Sequence, residues 1–272
     1  MLTQELKGKL KGFLQDDAAG CDITSAKVPR RICRAAIKVN EKCVLAGVEE
    51  AVWLFESQGV KARALMKDGK KVAAGARIIE LEGDNRRILS TERVALNVLG
   101  RMSGVASACA DAVKIAKQMG KSRIAVTRKT SPGFQQFDKK AAAVGGALAH
   151  RANLADKVLL KENHLAFFSS VSDAIGAFPD AMKVEVEVET VKQAEEAART
   201  GVGTILLDNF SPANAREAIA RVRRRNGRVK IELSGGINAR NLKKYADLGA
   251  DVISMGELSK NAVQKDFSLD IL

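Results

Sequence analysis

Six short runs of mostly apolar, β-branched residues, separated by helix-like segments, constrain the fold of this chain most strongly. The runs cover residues 122–129, 157–164, 182–189, 203–210, 229–236 and 250–256. Strands that alternate with helices at this spacing predict a parallel sheet with right-handed crossovers. We therefore expect an α/β fold in which this part of the chain forms an open or incomplete parallel α/β barrel.

The chain before residue 90 has a different pattern and predicts a smaller α+β domain. Residues 30–89 are β-rich, with one helix-like segment, VEEAVWLFESQG, a hairpin signal at Asp68-Gly69 and a turn signal at Gly83-Asp84-Asn85. At the start of the chain, an i, i+4 stripe predicts a helix that packs on its own domain rather than on a membrane surface. The stripe consists of Leu2, Leu6, Leu10 and Leu14.

A long helix is predicted between these two patterns, from about Ser90 to Met119, with Ser90 or Thr91 as its N-cap. Gly100 and Gly104 are unfavourable inside a helix, so they indicate either a break or the close approach of another backbone. We predict a domain boundary there, with an N-terminal domain at 1–103 and a barrel domain at 104–265. Residues 266–272 are expected to form a strand that returns to the first domain.

The net charge of +13 favours an anionic partner, such as nucleic acid, a membrane surface or a phosphorylated substrate. Aromatic residues make up only 4% of the chain, which argues against the base stacking of single-stranded nucleic-acid sites. No apolar run approaches the roughly 18 residues of a membrane span, and no secretory signal is recognisable. Four cysteines without a CxxC pair are typical of reduced thiols in a cytoplasmic protein.

The ends of the six runs carry polar residues in a definite order. Cations end the first two (Arg128-Lys129 and Lys161), acids the next two (Glu187 and Asp208), and glycine-containing turns the last two (Ser234-Gly235-Gly236 and Gly256). In a parallel barrel all these ends lie on one face, where function resides. Cations can hold carboxylates or pyrophosphate, and acids can hold ribose hydroxyls and Mg²⁺. Backbone N–H groups at the starts of the helices that follow the glycine turns can hold a phosphate.

Two further features lie between or within these runs. In VEVEVE, we expect Glu185, Glu187 and Glu189 to face the barrel interior, compensated by Lys161 and Arg128, rather than to form a solvated strand face. His150 and Arg151 are interpreted as ligand-binding residues rather than as a pair at the C-terminus of a helix. For His164, a capping or loop-ordering role is at least as well supported as a role in the site.

The chain also contains longer motifs in a fixed order: TERVALNVLGRMSGVAS, TRKTSPG, FDKKAAAVGGALAHR, VLLKENHL, VEVEVET, ILLDNFSP, IELSGGIN and SMGEL. Together they resemble the quinolinate phosphoribosyltransferases, also called carboxylating nicotinate-nucleotide pyrophosphorylases. The resemblance implies a reaction of quinolinate with phosphoribosyl pyrophosphate that gives nicotinate mononucleotide, pyrophosphate and CO₂, a step of NAD biosynthesis. It also implies Mg²⁺, no organic cofactor, and a homodimer or higher oligomer.

The same resemblance implies roles for particular residues. The pyridine dicarboxylate would be held by Arg93, Arg128, His150, Arg151 and Lys161, with Arg93 of each subunit reaching the site of its partner. Lys129 would help bind pyrophosphate, Glu187 and Asp208 would meet the ribose and, indirectly, the Mg²⁺, and Ser234, Gly235, Gly236 and Gly256 would bind the 5′-phosphate. Lys129, Lys161, Glu187 and Asp208 are the expected catalytic residues.

Two alternatives remain open. A paralogous group associated with molybdate transport shares most of these motifs and would act on a different base. A basic nucleic-acid-binding protein would instead use the arginines between Arg221 and Arg228, although such a run is more often a solvated helix face. Glu257 departs from the family pattern and is unfavourable beside a phosphate unless its side chain points away.

Overall fold

The computed structural model describes residues 2–18 and 21–272, which form two compact units. One unit consists of Met1–Ala110, Ser131–Gly146 and Ala262–Leu272, and the other of Asp111–Thr130 and Ala147–Asn261. The units therefore interleave along the chain. The division at residues 103 and 104 stays a prediction.

The strands are β1 (Ile32–Val39), β2 (Cys43–Val44), β3 (Lys61–Ala64), β4 (Lys71–Val72), β5 (Arg77–Asp84), β6 (Arg123–Ala125), β7 (Val158–Leu160), β8 (Val184–Val188), β9 (Thr204–Asp208), β10 (Lys230–Ser234), β11 (Val252–Ser254) and β12 (Phe267–Ile271). The α-helices are α1 (Gln4–Ala18), α2 (Val48–Ser57), α3 (Asn85–Met119), α4 (Gln135–Val144), α5 (Glu162–Leu165), α6 (Val171–Gly176), α7 (Val191–Ala197), α8 (Pro212–Arg225) and α9 (Glu257–Lys260). Short 3-10 turns lie at Ser25–Lys27, Ala181–Lys183 and Leu242–Lys244.

The first unit is built on an antiparallel sheet with the strand order β12-β1-β5-β3, beside a two-stranded ribbon of β2 and β4. The C-terminal strand β12 pairs with β1, with Phe267 opposite Val39. A helix forms at the predicted stripe, and Leu10 and Leu14 are buried on α1, whereas Leu2 precedes the helix. The ring of Phe13 stacks on Phe134, with ring centroids 5.6 Å apart, which also anchors this helix within its own unit.

The hairpin predicted at Asp68-Gly69 is wrong. β3 pairs with β5 and β4 pairs with β2, so the loop between β3 and β4 joins different sheets. The carboxylate of Asp68 instead accepts the backbone N–H groups of Gly47 and Val48, at 3.2 and 3.0 Å. These donors lie at the start of α2, where an acidic side chain satisfies orphan N–H groups.

The start predicted for the long helix and the turn predicted before it are also wrong. β5 ends at Asp84 and α3 begins at the next residue, Asn85. The junction is direct because Oδ1 of Asp84 accepts the N–H of Arg86 at 2.9 Å, which caps the helix without an intervening turn. The predicted caps at Ser90 and Thr91 therefore lie inside the helix.

Helix α3 is continuous through Gly100 and Gly104, so of the two expectations the close approach of another backbone is confirmed and the break is wrong. A Cβ atom at Gly104 would lie 2.3 Å from the carbonyl oxygen of Val263. One at Gly100 would lie 2.7 Å from that of Lys265. Only glycine at these positions lets the C-terminal segment of the same unit cross the helix at this distance.

The second unit contains a six-stranded parallel sheet with the order β6-β11-β10-β9-β8-β7. Each of the six predicted runs contributes one strand. The order is that of a barrel opened between β6 and β7, which do not pair with each other within the described residues. The predicted open α/β barrel with a smaller α+β unit is therefore confirmed.

The arginines at the end of α8 lie on the side of the sheet opposite the strand ends that carry the predicted site. Arg223 pairs with Asp251, which directly precedes β11 and also accepts the N–H of Ile231 at the start of β10. Arg221 pairs with Glu217 and Glu195. These arginines form a solvated, ion-paired helix face, as expected.

Among the described residues, no helix is both long and apolar enough to cross a membrane.

Candidate active site

A cavity of about 570 Å³ opens at the carboxyl ends of the parallel strands, entirely within the second unit. It is lined by Thr127, Arg128, Lys129, His150, Arg151, Leu159, Lys161, Glu162, Glu187, Glu189, Leu206, Asp208, Asn209, Glu232, Ser234, Gly235, Gly236 and Ser254. Residues from the ends of six strands, β6 to β11, therefore converge on one space. This volume falls within the range of small-molecule sites.

The cationic part of the lining begins directly after β6. Arg128 and Lys129 are exposed, and neither forms an ion pair among the described residues. Arg151 is buried, with 7% of its surface exposed. Burial and the neighbouring charge of Arg128 lower the pKa of Arg151, while Glu185 and Glu187 act in the opposite direction. Two guanidinium groups that face each other in this way favour a bound anion between them.

The acidic part of the lining comes from β8 and β9. Lys161 donates from Nζ to Oε2 of Glu187 at 2.5 Å, and Glu187 is buried. Burial raises the pKa of Glu187; the hydrogen bond and charge of Lys161 oppose this rise, whereas Glu162 and Asp208 add to it. Asp208 accepts a hydrogen bond from Nδ2 of Asn209 at 2.5 Å. The carboxyl ends of these neighbouring strands thus present oxygen ligands and one ammonium group together.

All five residues of β8 are buried, which confirms that neither face of this strand is solvated. Glu185 and Glu187 are buried as predicted, and Lys161 compensates Glu187 as predicted, whereas Glu189 follows the strand and is exposed at the cavity. The prediction that Arg128 also compensates these glutamates is wrong. Nε2 of His150, rather than Arg128, lies 3.5 Å from Oε1 of Glu185. Arg128 follows the end of β6 and is exposed, so it stays available to a ligand.

His150 is one of two non-glycine residues in the described chain with a left-handed backbone, with φ = 51°. It follows Leu148, which forms a single parallel bridge with Ala125 of β6. Nε2 of His150 also lies 3.3 Å from Oε1 of Glu232 on β10. Burial lowers the pKa of His150, but the hydrogen bonds and charges of Glu185 and Glu232 outweigh burial and raise this pKa to about 9. The imidazole is therefore a cation at neutral pH.

The glycine turn after β10 is held against the other left-handed residue, Asn209. The N–H of Asn209 donates to the carbonyl of Ser234 at 3.0 Å. Gly235 has φ = 81°, and a Cβ there would lie 2.4 Å from Oδ1 of Asn209. Both observations explain why this turn requires glycine.

The expected helix starts after the glycine turns are present only in part. Helix α9 begins directly after Gly256, as expected. After Gly236, however, the next helical residues are the single 3-10 turn that begins at Leu242, so no helix N-terminus follows this turn directly. The chain between them is instead held by side chains, since Nδ2 of Asn241 donates to the carbonyl of Gly236 at 3.0 Å.

Gly256, which was predicted to bind phosphate, lies beside the cavity rather than in its lining, as do His164 and Glu257. Gly256 packs against Lys129 and Thr127, because a Cβ there would lie 3.0 Å from Cδ of Lys129. Nδ1 of His164 accepts the N–H of Lys161 at 2.9 Å, so it orders the loop that carries this lysine. Glu257 accepts the N–H of Ala239 at 3.4 Å through Oε1, which directs its carboxylate toward that loop.

The structure brings together most of the predicted site residues but not Arg93. Arg128, Lys129, His150, Arg151, Lys161, Glu187, Asp208, Ser234, Gly235 and Gly236 all line the cavity. Arg93 is exposed on α3 in the first unit and is absent from this lining.

The lining also contains residues that the sequence analysis missed: Thr127, Glu162, Asn209, Glu232 and Ser254. The sequence contains a feature that could have identified Glu232 as a site residue. It is an acid inside the buried run KIELS, as Glu185 is inside β8. Glu162 and Asn209 directly follow the recognised residues Lys161 and Asp208, but nothing in their own pattern distinguishes them from ordinary loop residues.

The acidic residues fit Mg²⁺ by their donor chemistry. Glu187 and Asp208 offer carboxylate oxygens at the ends of adjacent parallel strands, and such oxygens are the ligands that Mg²⁺ prefers. Oε2 of Glu187 already accepts a hydrogen bond from Lys161. This arrangement suits an ion that retains several of its waters, which is usual for Mg²⁺.

Comparisons with known proteins agree with this geometry. The C-terminal domain profile of quinolinate phosphoribosyl transferase matches residues 105–270, and the N-terminal domain profile matches residues 22–103. The chain is 39% identical to a probable carboxylating nicotinate-nucleotide pyrophosphorylase of Methanocaldococcus jannaschii, covering 97% of this chain and 96% of that one. It is 35% identical to the human carboxylating nicotinate-nucleotide pyrophosphorylase, covering 98% and 91%. The crystal structure of the Ehrlichia chaffeensis nicotinate-nucleotide pyrophosphorylase superposes with a TM-score of 0.93 at 30% identity, over the whole of both chains. This chain belongs to the quinolinate phosphoribosyl transferase family.

Proposed function

We propose that this protein transfers a phosphoribosyl group from phosphoribosyl pyrophosphate to quinolinate and releases CO₂. The products are nicotinate mononucleotide and pyrophosphate, so the enzyme is a carboxylating pentosyltransferase of NAD biosynthesis. One observation carries the proposal: Arg128, Arg151 and Lys161 converge on the same cavity as Glu187 and Asp208. A pyridine dicarboxylate needs the cations, and a ribose that becomes positively charged at C1 needs the acids.

The residues of this chain explain each part of the reaction. As the bond from C1 to pyrophosphate breaks, the carboxylates of Glu187 and Asp208 stabilise the positive charge on the ribose. Arg128 and Arg151 hold the carboxylates of quinolinate so that the ring nitrogen faces C1. The lone pair of that nitrogen then forms the new bond to C1.

Decarboxylation follows from the chemistry of the substrate itself. Once the ring nitrogen is quaternised, it stabilises the electron pair that remains at C2 when the adjacent carboxylate leaves as CO₂. A proton then adds at C2, which balances the reaction. The protein mainly positions the reactants and neutralises their charge, so no organic cofactor is required.

For the remaining ligands, we propose that Lys129 contacts the pyrophosphate and that Ser234, Gly235, Gly236 and Gly256 lie around the 5′-phosphate. Glu187 and Asp208 would hold Mg²⁺. Bound Mg²⁺ would supply charge stabilisation to the leaving pyrophosphate. If so, turnover disappears on chelation and returns on addition of Mg²⁺, and the Glu187→Gln variant needs a higher Mg²⁺ concentration for half-maximal rate.

The function is tested by mixing the purified protein with quinolinate, phosphoribosyl pyrophosphate and Mg²⁺ while following CO₂ and the mononucleotide. No turnover with quinolinate, together with turnover of another base, would assign the protein to the paralogous group instead. The Arg128→Ala variant should lose activity and keep the fold. Arg123→Ala is the matched control, because Arg123 begins the same strand at its opposite end.

We also propose a homodimer in which Arg93 completes the site of the partner. The exposure of Arg93 and its absence from the cavity lining support this arrangement. Arg93→Ala and Arg128→Ala should each be inactive alone, whereas subunit exchange between them should restore about a quarter of the sites, because about half of the dimers are then mixed and each mixed dimer carries one intact site of two. If the mixture stays inactive although differently tagged subunits co-purify as mixed dimers, Arg93 does not act across the interface. Finally, we propose a cytoplasmic location, which the four free thiols support.

A further inference from the structure

A triad of one half-buried histidine and two buried glutamates lies at the cavity, with two of its members in the lining. His150 precedes β7, Glu185 is on β8 and Glu232 is on β10, and ligand atoms from the three side chains lie within 4.8 Å of one another. The side chains are 11%, 7% and 4% exposed, respectively. Oε1 of Glu185 is buried without a well-formed hydrogen bond. Two carboxylates at this depth are costly unless a cation meets them.

We propose that Glu185 and Glu232 are positioning residues that hold the ring of His150 through Nε2 and keep it a cation for binding a substrate carboxylate. With Nε2 facing two carboxylates, Nδ1 is the ring nitrogen left for a ligand. In a neutral imidazole with Nε2 protonated, Nδ1 would be an acceptor and would repel a carboxylate. In the imidazolium, Nδ1 is a donor, so the two glutamates determine which kind of group the ring can bind.

The surroundings of the ring support this assignment. The backbone of His150 is left-handed, which costs about 1 kcal/mol or more for a residue with a side chain and persists only where contacts fix it. Glu185 and Glu232 are the two charged groups that face Nε2. Ser254 on β11 donates to Oε1 of Glu232 and so fixes that carboxylate. Arg151, the residue after His150, is repelled by the charge of Arg128 at the end of β6. It is attracted by the charges of Glu185 and Glu187 on β8.

The charge on the ring follows from the same contacts. The two carboxylates outweigh burial and raise the pKa of His150 to about 9. A lone buried histidine would be neutral at physiological pH, since burial disfavours the charged form. The alternative occupant of such a triad is a metal ion, which would need Nε2 deprotonated and therefore predicts the opposite protonation state.

The first experiment needs no enzyme activity. The protein contains only two histidines, so ¹⁵N-histidine NMR with a His164→Asn variant assigns both rings. We expect His150 in the wild type to remain protonated up to about pH 9. Glu185→Gln and Glu232→Gln should each lower its midpoint by about one pH unit or more, the size of effect that an adjacent opposite charge has on a pKa. Glu195→Gln, which removes a half-buried glutamate of α7 that pairs with Arg199 and Arg221, is the control and should leave the midpoint unchanged.

A wild-type midpoint near the ordinary value of 6.5 would overturn the proposal even if the variants fail to fold. It would also be overturned if added Mg²⁺ or Zn²⁺ displaced the proton from Nε2, because the triad would then be a metal site. This measurement is independent of the reaction, so its outcome is distinguishable from a failure of the proposed function.

The second experiment rests on the proposed function. We assay both glutamine variants at pH 8. The Michaelis constant for quinolinate should rise about tenfold for each pH unit by which the titration midpoint of His150 lies below 8. The Michaelis constant for phosphoribosyl pyrophosphate should change much less, and so should kcat. Lowering the pH to 6.5 should restore quinolinate binding in the variants, because the imidazolium forms again. A lowered His150 midpoint with an unchanged Michaelis constant for quinolinate would show that the charge of the ring does not serve the substrate.

Discussion

Oε2 of Glu187 lies 2.5 Å from the ammonium nitrogen of Lys161, so an ion pair joins the ends of β7 and β8 at the wall of the cavity. Glu187 is buried, whereas the side chain of Lys161 is 40% exposed. The lysine therefore keeps access to a ligand while it neutralises the acid beside it.

Replacing Lys161 with methionine should remove most activity at a modest cost in stability. The variant leaves Glu187 buried without its partner, but solvent at the exposed lysine limits the loss to about 1 kcal/mol. Turnover should fall about a hundredfold or more, because one cation of the site is gone. Chemical denaturation and steady-state kinetics measure the two effects. Lys183→Met, which removes an 82% exposed lysine, should change neither.

The glycine turn after β10 provides a second test with a matched control. Gly235 and Gly201 have nearly the same φ, 81° and 79°, but of the two only Gly235 has a neighbour within reach of an added Cβ. Gly201→Ala should lose about 1 kcal/mol through backbone strain alone. Gly235→Ala should lose more than this and raise the Michaelis constant for phosphoribosyl pyrophosphate, because Asn209 must move. Equal losses of stability in the two variants would mean that the contact with Asn209 is unimportant.

Gly104→Ala should destabilise the protein although alanine is the better helix former. The added Cβ would meet the carbonyl of Val263 at 2.3 Å, and overpacking of this kind costs about 1–3 kcal/mol. Gly8→Ala, on the exposed side of α1 with open space around it, should instead gain up to about 1 kcal/mol. Thermal and urea denaturation compare them. A stabilised Gly104→Ala protein would contradict the close approach of the C-terminal segment.

The cysteines should differ sharply in reactivity toward a thiol reagent at pH 8. Burial raises the pKa of Cys43 to about 11 and that of Cys109 to about 12, so both are protonated and shielded. Cys21 is exposed and should react first. Single Cys→Ser variants identify each kinetic phase. Rapid labelling of Cys109 in the native protein would show that the packing around α3 opens readily.

The parallel sheet could be predicted from sequence because each run of apolar residues is short and is separated from the next by a helix-like segment, although after β10 that segment forms only a 3-10 turn. The polar ends of those runs predicted most of the lining for the same reason, since parallel strands place their carboxyl ends together. The start of α3 could not be predicted in this way. Its first turn is capped by the last residue of a strand, Asp84, and local turn signals at Gly83 and Asn85 describe such a junction as a loop.

Contacts between residues distant in sequence account for the other differences. Arg128 was expected to help neutralise the glutamates of β8, because both were expected to lie at the barrel interior. His150 does so instead for Glu185, because a left-handed residue after the bridge at Leu148 turns the ring toward β8 and β10. Likewise, the two glycines of α3 could be read as a break or as a crossing until the segment at Val263 was located.

Strand β8 serves both halves of the site, since Glu185 meets His150 and Glu187 meets Lys161 two residues later. The distance between the two cationic side chains, those of His150 and Lys161, is therefore set by the rise of one extended strand and not by the length of any loop. Altering the base that the enzyme accepts will therefore require new residues along this strand, and loop grafting alone will leave the old charge spacing in place.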